Sequence, residues 1–225
     1  MLYIVATPIG NLKDITLRAI ETLQSVDGII CEDTRRTGLL LNHLQIQKPM
    51  TSFNDFNENR TFPEIIQRLK MGQNLALVSD AGTPLVSDPG FKLVRECIKE
   101  GLEIDSLPGP SAVITALTLS GIAPDKFFFL GYLPEKPGRR ESLLKSLKEL
   151  PENLETTFII FLSPHKLIKT LEEIKNYLGD IEISLTGELT KMYQKILRGK
   201  VSEVLTKHKN PKGEYVLIFR LTNPS

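Results

Sequence analysis

Three stretches of this chain combine residue types and spacings that could hold a small ligand. They run from Thr7 to Leu12 (Thr7-Pro8-Ile9-Gly10-Asn11-Leu12), from Ser79 to Asp88 (opening Ser79-Asp80-Ala81-Gly82-Thr83-Pro84), and from Pro108 to Ser111 (Pro108-Gly109-Pro110-Ser111). Glycine, proline and small hydroxyl residues let backbone N–H and C=O groups approach a ligand with no bulky side chain between. Each stretch alone is ordinary turn chemistry. All three follow predicted strands, and in an open parallel sheet the loops at the carboxyl ends of strands converge on one crevice. The recurrence therefore favours a shared ligand site over three unrelated turns.

The ligand's chemistry is narrowed by what is missing. The chain has no G-x-G-x-x-G and no G-x-x-x-x-G-K-[ST], so a nucleotide gripped through its phosphates is disfavoured. H-E-x-x-H and G-x-S-x-G are absent too, which weakens metalloprotease and α/β-hydrolase readings. A ligand with an amino-acid end, a ribose and a flat base, held by backbone groups and a few hydroxyls, remains. Two cysteines, Cys31 and Cys97, and three histidines are too few for a disulfide framework and a poor basis for a structural zinc site. Both cysteines sit in apolar runs and are expected to be buried. No metal is expected.

Further polar groups could act around those loops. Glu32-Asp33-Thr34-Arg35-Arg36 could hold a sugar hydroxyl or a phosphate, or simply form a local carboxylate–arginine network. Asn54, Asn57, Glu58 and Asn59 read as turn chemistry or as substrate contacts. Ser163-Pro164-His165-Lys166 contains a histidine that is more ordinarily structural than catalytic. Glu188-Leu189-Thr190-Lys191 would place an ion pair at a helix start, or a lysine that holds a phosphate or sugar oxygen of a nucleic acid.

These groups need elements to position them. Short apolar runs at Leu2–Ala6 and Gly28–Cys31 read as strands, as do Leu75–Val78 and Glu103–Leu107. Helical spacing covers 12–23, 37–44, 65–71 and 91–99. Alternation of strand, loop and helix argues an α/β domain with a mostly parallel sheet. An apolar helix follows over 111–121, then strands at 126–133, 156–162, 181–185 and 214–221, with helices at 141–150 and 166–178 and a polar basic loop at 134–140. The border is expected between Ser111 and Ala123, giving an amino-terminal domain over 1–115 and a carboxy-terminal domain over 116–225.

Length and charge agree. The chain has 225 residues, 41% apolar and 24% charged, enough for one large or two small domains and too apolar for a wholly disordered chain. The net charge of +1 excludes a strongly basic coat. It is unevenly spread: residues 1–112 carry 11 basic and 14 acidic residues, and residues 113–225 carry 17 and 13. Lys191, Lys195, Arg198, Lys200, Lys207, Lys209 and Lys212 face one acid, Glu203, within their stretch. This is either a solvated face or a footprint for an anionic polymer, which Arg139 and Arg140 would extend. No signal peptide and no membrane span is read, because the apolar amino-terminal run lacks a basic lead and no run approaches the ~18 residues of a membrane helix. A reducing cytoplasm is the expected location.

The loops together resemble a known family. Thr7-Pro8-Ile9-Gly10-Asn11-Leu12, Cys31-Glu32-Asp33-Thr34-Arg35, Val78-Ser79-Asp80-Ala81-Gly82-Thr83-Pro84, Ser87-Asp88-Pro89-Gly90 and Pro108-Gly109-Pro110-Ser111-Ala112 are similar to the tetrapyrrole-methylase-like, class III S-adenosylmethionine-dependent methyltransferases. Within that group they are most similar to the enzymes that modify small-subunit ribosomal RNA. Gly131-Tyr132-Leu133-Pro134, Ser163-Pro164-His165-Lys166, Glu188-Leu189-Thr190-Lys191 and Lys212-Gly213-Glu214 extend the resemblance over nearly the whole chain. It departs at Gly187, where the family usually has arginine, and at Phe161-Leu162, where it usually has an aromatic and an acid.

The resemblance implies two α/β domains with S-adenosyl-L-methionine in the cleft between them, and methyl transfer to the ribose 2′-oxygen of a cytidine in the decoding region. It implies a homodimer acting on small-subunit ribosomal RNA or the assembled small subunit, with no membrane partner. Ile9, Asp80, Gly82, Thr83, Ser111 and Ala112 match cofactor-contacting positions, as do Val86, Leu162 and Leu189. Such a displacement needs alignment and help for a poorly nucleophilic hydroxyl, for which Asp80, Glu32, Glu188 and Lys191 are the catalytic candidates. The other readings are a related methylase of a small tetrapyrrole or a modified protein residue, and a non-enzymatic RNA-binding module.

Overall fold

A computed structural model describes residues 1–150, 155–207 and 211–221. The chain divides into two compact units, Met1–Ser111 and Ala112–Ser225. A border at 115/116 would cut the helix Ala112–Ser120.

The first unit is built on short strands, buried at the centre of the sheet. β1 (Leu2–Val5), β2 (Gly28–Cys31), β3 (Met50–Ser52), β4 (Leu75–Val78) and β5 (Ile104–Leu107) form one sheet in the order β3-β2-β4-β1-β5. Every pairing in it is parallel. Side chains alternate between its faces, as a period of two requires. Along β4, Leu75 and Leu77 pack with Ile65, Leu69 and Leu93, while Ala76 and Val78 pack with Leu23 and Leu41. Both faces are thus covered, which is why β2 and β4 read as unbroken apolar runs.

Four helices cover those faces: α1 (Leu17–Ser25), α2 (Thr34–His43), α3 (Glu58–Lys70) and α4 (Phe91–Lys99). The helix expected over 12–23 is split. A 3-10 turn occupies Leu12–Asp14, and α1 restarts where the Thr16 hydroxyl accepts the Ala19 N–H at 3.1 Å. α2 begins ahead of the expected 37 because the Asp33 carboxylate accepts the Arg35 N–H.

In the second unit, β6 (Phe127–Tyr132), β7 (Thr157–Leu162), β8 (Glu182–Gly187), β9 (Lys195–Lys200) and β10 (Tyr215–Arg220) are ordered β6-β7-β10-β8-β9. β6 and β7 are parallel and the remaining pairs antiparallel. Helices α5 (Ala112–Ser120), α6 (Pro137–Lys148), α7 (Pro164–Leu178) and α8 (Val201–Lys207) accompany it. Its core joins Leu144, Leu167, Leu171, Ile174, Val204 and Leu217 with the rest of that sheet's apolar face.

Two basic features differ from expectation. The loop expected over 134–140 is largely the start of α6, with Pro137 in its first turn, where its missing N–H costs nothing. Arg140 is buried and does not extend a basic face. It grips Glu173 of α7 with two hydrogen bonds and donates to the carbonyls of Pro134 and Glu135. Arg198, within the basic stretch, donates to the carbonyls of Leu119 and Ser120 at the end of α5, where a cation suits the helix dipole. Lys209 lies outside the described residues. Among the described residues no helix is long and apolar enough to cross a membrane.

Candidate active site

Because the first sheet is parallel, the segments following β1, β2, β4 and β5 all leave its carboxyl edge, and three of them are bonded together. Thr7 and Gly82 exchange backbone hydrogen bonds of 2.8 and 3.0 Å. The Thr7 hydroxyl donates to the Ser79 carbonyl, the Ser79 hydroxyl to the Gly82 carbonyl, and the Thr83 hydroxyl to the Pro110 carbonyl, each at 3.0 Å. Small residues make this convergence fit. A Cβ on Gly109 would stand 2.8 Å from the Ala6 methyl, and one on Gly82, whose φ is 84°, 3.2 Å from Ile9 Cγ2. The loop from Gly82 to Gly90 also holds Leu85 and Ser87 at φ of 73° and 69°. Strain of that kind persists only where the surroundings impose it, and it gathers at binding sites.

Of the residues expected here, Ile9 and Gly82 are buried, Asp80, Thr83 and Ser111 are half-buried, and Val86 is exposed. Ser111 closes the first unit and Ala112 opens α5.

Carboxylates crowd the same rim. Asp80 accepts the Asp33 N–H at 3.2 Å and pairs with Arg36 at 3.3 Å, while Asp33 pairs with Arg35. The segment after β2 is thus an acid–arginine network tied to the second loop. Burial, then the charges of Asp80 and Asp55, push the Glu32 carboxyl above its ordinary value. Asp88 is pushed up to about 6, first by burial and then by Glu32 and Asp80, against a hydrogen bond with Ser79. Glu32 and Asp88 line a small hollow with Phe53, Leu77, Ser79 and Pro84. Sequence reasoning passes over Asp88 as a site residue. Its only signal is the Ser-Asp-Pro-Gly run, and the carboxylates around it come from separate segments.

Asn54 and Asn57 are engaged in their own turn: the Asn57 carboxamide accepts the Asn54 N–H and donates to the Ser52 carbonyl. Glu58 is buried and pairs with Lys92.

In the second unit the two remaining motifs leave one end of the sheet. Leu162 at the end of β7 and Gly187 at the end of β8 both lie opposite Tyr215 at the start of β10. A Cβ on Gly187 would stand 2.5 Å from the Tyr215 ring, which accounts for glycine at this departure from the family pattern. His165 is exposed, and Lys166 pairs with Glu135. No helix starts at Glu188 as the ion-pair reading supposed. A tight turn forms instead, with Glu188 at φ 51° and Thr190 at φ 62°. Glu188 Oε1 accepts Lys191 Nζ at 3.0 Å, and Glu214 accepts it at 3.3 Å. Leu162 and Leu189 are buried. Burial alone would lower the Lys191 value, but Glu188 and Glu214 outweigh it and hold the ammonium above its ordinary value.

A family model described as Tetrapyrrole (Corrin/Porphyrin) Methylases matches residues 1–205. The chain belongs to that family. Individual relatives sharpen the comparison. A "Ribosomal RNA small subunit methyltransferase I" of Thermotoga maritima is 49% identical over 220 residues, 97% of this chain and 97% of that protein. Proteins of the same name from Synechocystis and Bacillus subtilis are 44% and 43% identical, over 100% and 99% of this chain and 80% and 76% of their own. The loops that meet at the first sheet's carboxyl edge and the Glu188–Lys191 turn both lie within this methylase's matched region.

Proposed function

We propose that this methylase transfers a methyl group from S-adenosyl-L-methionine to the ribose 2′-oxygen of a cytidine in the decoding region of small-subunit ribosomal RNA. It acts as a homodimer in the cytoplasm, on that RNA or on the assembled small subunit. The observation that carries this reading is the identity of 43–49% over nearly the whole chain to proteins named as methyltransferases of small-subunit ribosomal RNA.

The chemistry of the first unit supports such a donor. Three loops bring main-chain atoms together, two of them through glycines that a Cβ would crowd, Gly82 and Gly109, which suits close approach to an adenosyl ligand. Ile9, Gly82, Thr83, Val86 and Ser111, with Ala112 next in the chain, would hold it. Glu32, Asp80 and Asp88 raise a negative potential that suits a cationic donor. When bound, the donor supplies a methyl carbon already activated by its positive sulfur.

The protein's own work is positioning. The Lys191 ammonium orients the acceptor oxygen and stabilises charge developing on it. Glu188, hydrogen-bonded to Lys191 and to the Glu214 N–H, sits below its ordinary value despite its burial and is a poor proton acceptor; it positions Lys191. Asp80 is occupied by Asp33 and Arg36 and orders its loop. Glu32, pushed above its ordinary value by burial and the charges of Asp80 and Asp55, is a better proton acceptor than Glu188.

The test is to incubate the purified protein with methyl-labelled S-adenosyl-L-methionine and unmodified small-subunit RNA or particles, then digest the RNA. The expected product is labelled 2′-O-methylcytidine. Unlabelled RNA, or label carried instead by a corrin or porphyrin precursor, overturns the reading.

A further inference from the structure

Two carboxylates hold the Lys191 ammonium, and they are built differently. Glu188 is fixed from several sides. Its backbone N–H donates to the Glu214 carbonyl at 3.0 Å, and its Oε1 accepts both Lys191 Nζ and the Glu214 N–H, each at 3.0 Å. Its side chain lies so close to Gly213 that a Cβ there would stand 2.1 Å from Oε1. Glu214 touches Lys191 only by its carboxylate, at 3.3 Å, and 71% of its side chain is exposed against 26% for Glu188. An exposed ion pair contributes little, about 0–1 kcal/mol. The Lys191 side chain is itself 33% exposed, and Met192, Tyr193, Lys195 and Lys212 are exposed in the neighbouring chain segments, so Lys191 is reached from solvent.

We propose that Glu214 is an exchangeable placeholder: its carboxylate occupies the side of Lys191 that a ribose–phosphate oxygen of the RNA takes, while Glu188 keeps the ammonium in place throughout. The inference rests on the RNA-methylating function proposed above and names Glu214 as a positioning residue for its acceptor. RNA binding then swaps one anionic partner of Lys191 for another. The cost is a weak surface pair, and the unoccupied enzyme never leaves the ammonium pointing at random. Glu214 competes with every anionic oxygen offered to Lys191, so only a strand that also engages the rest of the surface displaces it.

The test is a double-mutant cycle on binding of a synthetic oligoribonucleotide carrying the decoding-region sequence, read by fluorescence anisotropy at fixed salt. Glu214→Gln removes the competing charge. It is expected to tighten RNA binding about 2- to 5-fold, the reach of an exposed ion pair, and to leave binding unchanged in a Lys191→Met background. Glu214→Ser provides the same comparison should the glutamine amide find a partner of its own. An equal gain in both backgrounds is a general charge effect and overturns the exchange, as does no gain or a loss where Lys191 is present. Methyl transfer by the unaltered protein is measured alongside. RNA binding with the expected cycle but without transfer leaves the exchange standing and removes the functional reading. Transfer with equal gains does the reverse, and absence of RNA binding removes both.

Discussion

Lys191 carries the heaviest chemical assignment of any single residue. Held by Glu188 and Glu214, it is a charged donor whose orientation is set before substrate arrives. Lys191→Ala is expected to lower methyl transfer to small-subunit RNA by about 100-fold, the scale for losing one donor to a developing oxyanion. Full methylation by the variant would remove the role. Asp88 makes a separate prediction. Its carboxyl titrates at about 6 in the folded protein against an ordinary 3.8, so the folded state binds the proton more tightly. The group therefore costs nothing below its ordinary value, costs progressively more as pH rises towards 6, and is fully destabilising above that. Asp88→Asn is expected to stabilise the protein by about 2 kcal/mol at pH 8 and far less at pH 4, measured by urea unfolding. Equal effects at both pH values would contradict the account.

Elements show what sequence could and could not convey. β1, β2 and β4 of the first unit were legible because each is a short, largely buried apolar run, as at Leu75–Val78. β3 was not, because Met50–Ser52 is short and only partly buried. β9 was hidden by Lys195, Arg198 and Lys200, although Ile196 and Leu197 lie half-buried between them. The start of α6 was hidden likewise. Arg140 looks solvated in sequence, and its partner Glu173 belongs to another helix. The convergence of the three loops could be read from their position after strands, but the carboxylate crowding around Asp88 could not, since it depends on which segments become neighbours. Two substitutions test these elements. Arg140→Met leaves Glu173 without its partner and is expected to cost about 3 kcal/mol of stability; a loss below about 0.5 kcal/mol, the range of ordinary surface changes, would contradict it. Gly213→Ala must fit a methyl against Glu188 at a φ of 87°. It is expected to destabilise the protein by about 1–2 kcal/mol and to weaken RNA binding by releasing Lys191. Unchanged stability and affinity would show that the turn is not locked as described.

For the molecule as a whole, the division of labour follows the division of charge. The first unit gathers acidic and main-chain groups suited to a cationic donor, and the second carries the basic excess. Arg140 and Arg198 are committed to the fold, so the basic face is narrower than the sequence suggests. RNA affinity is expected to fall linearly with the logarithm of salt concentration, with a slope of about −0.7 per phosphate contacted; a flat response would contradict a phosphate-reading surface. The central claim is the reaction itself, and mapping 2′-O-methylation across small-subunit ribosomal RNA from cells with and without this protein tests it most directly. The account predicts that one decoding-region cytidine loses its methyl group when the protein is absent and regains it on re-expression. An identical methylation map in both cells would contradict it.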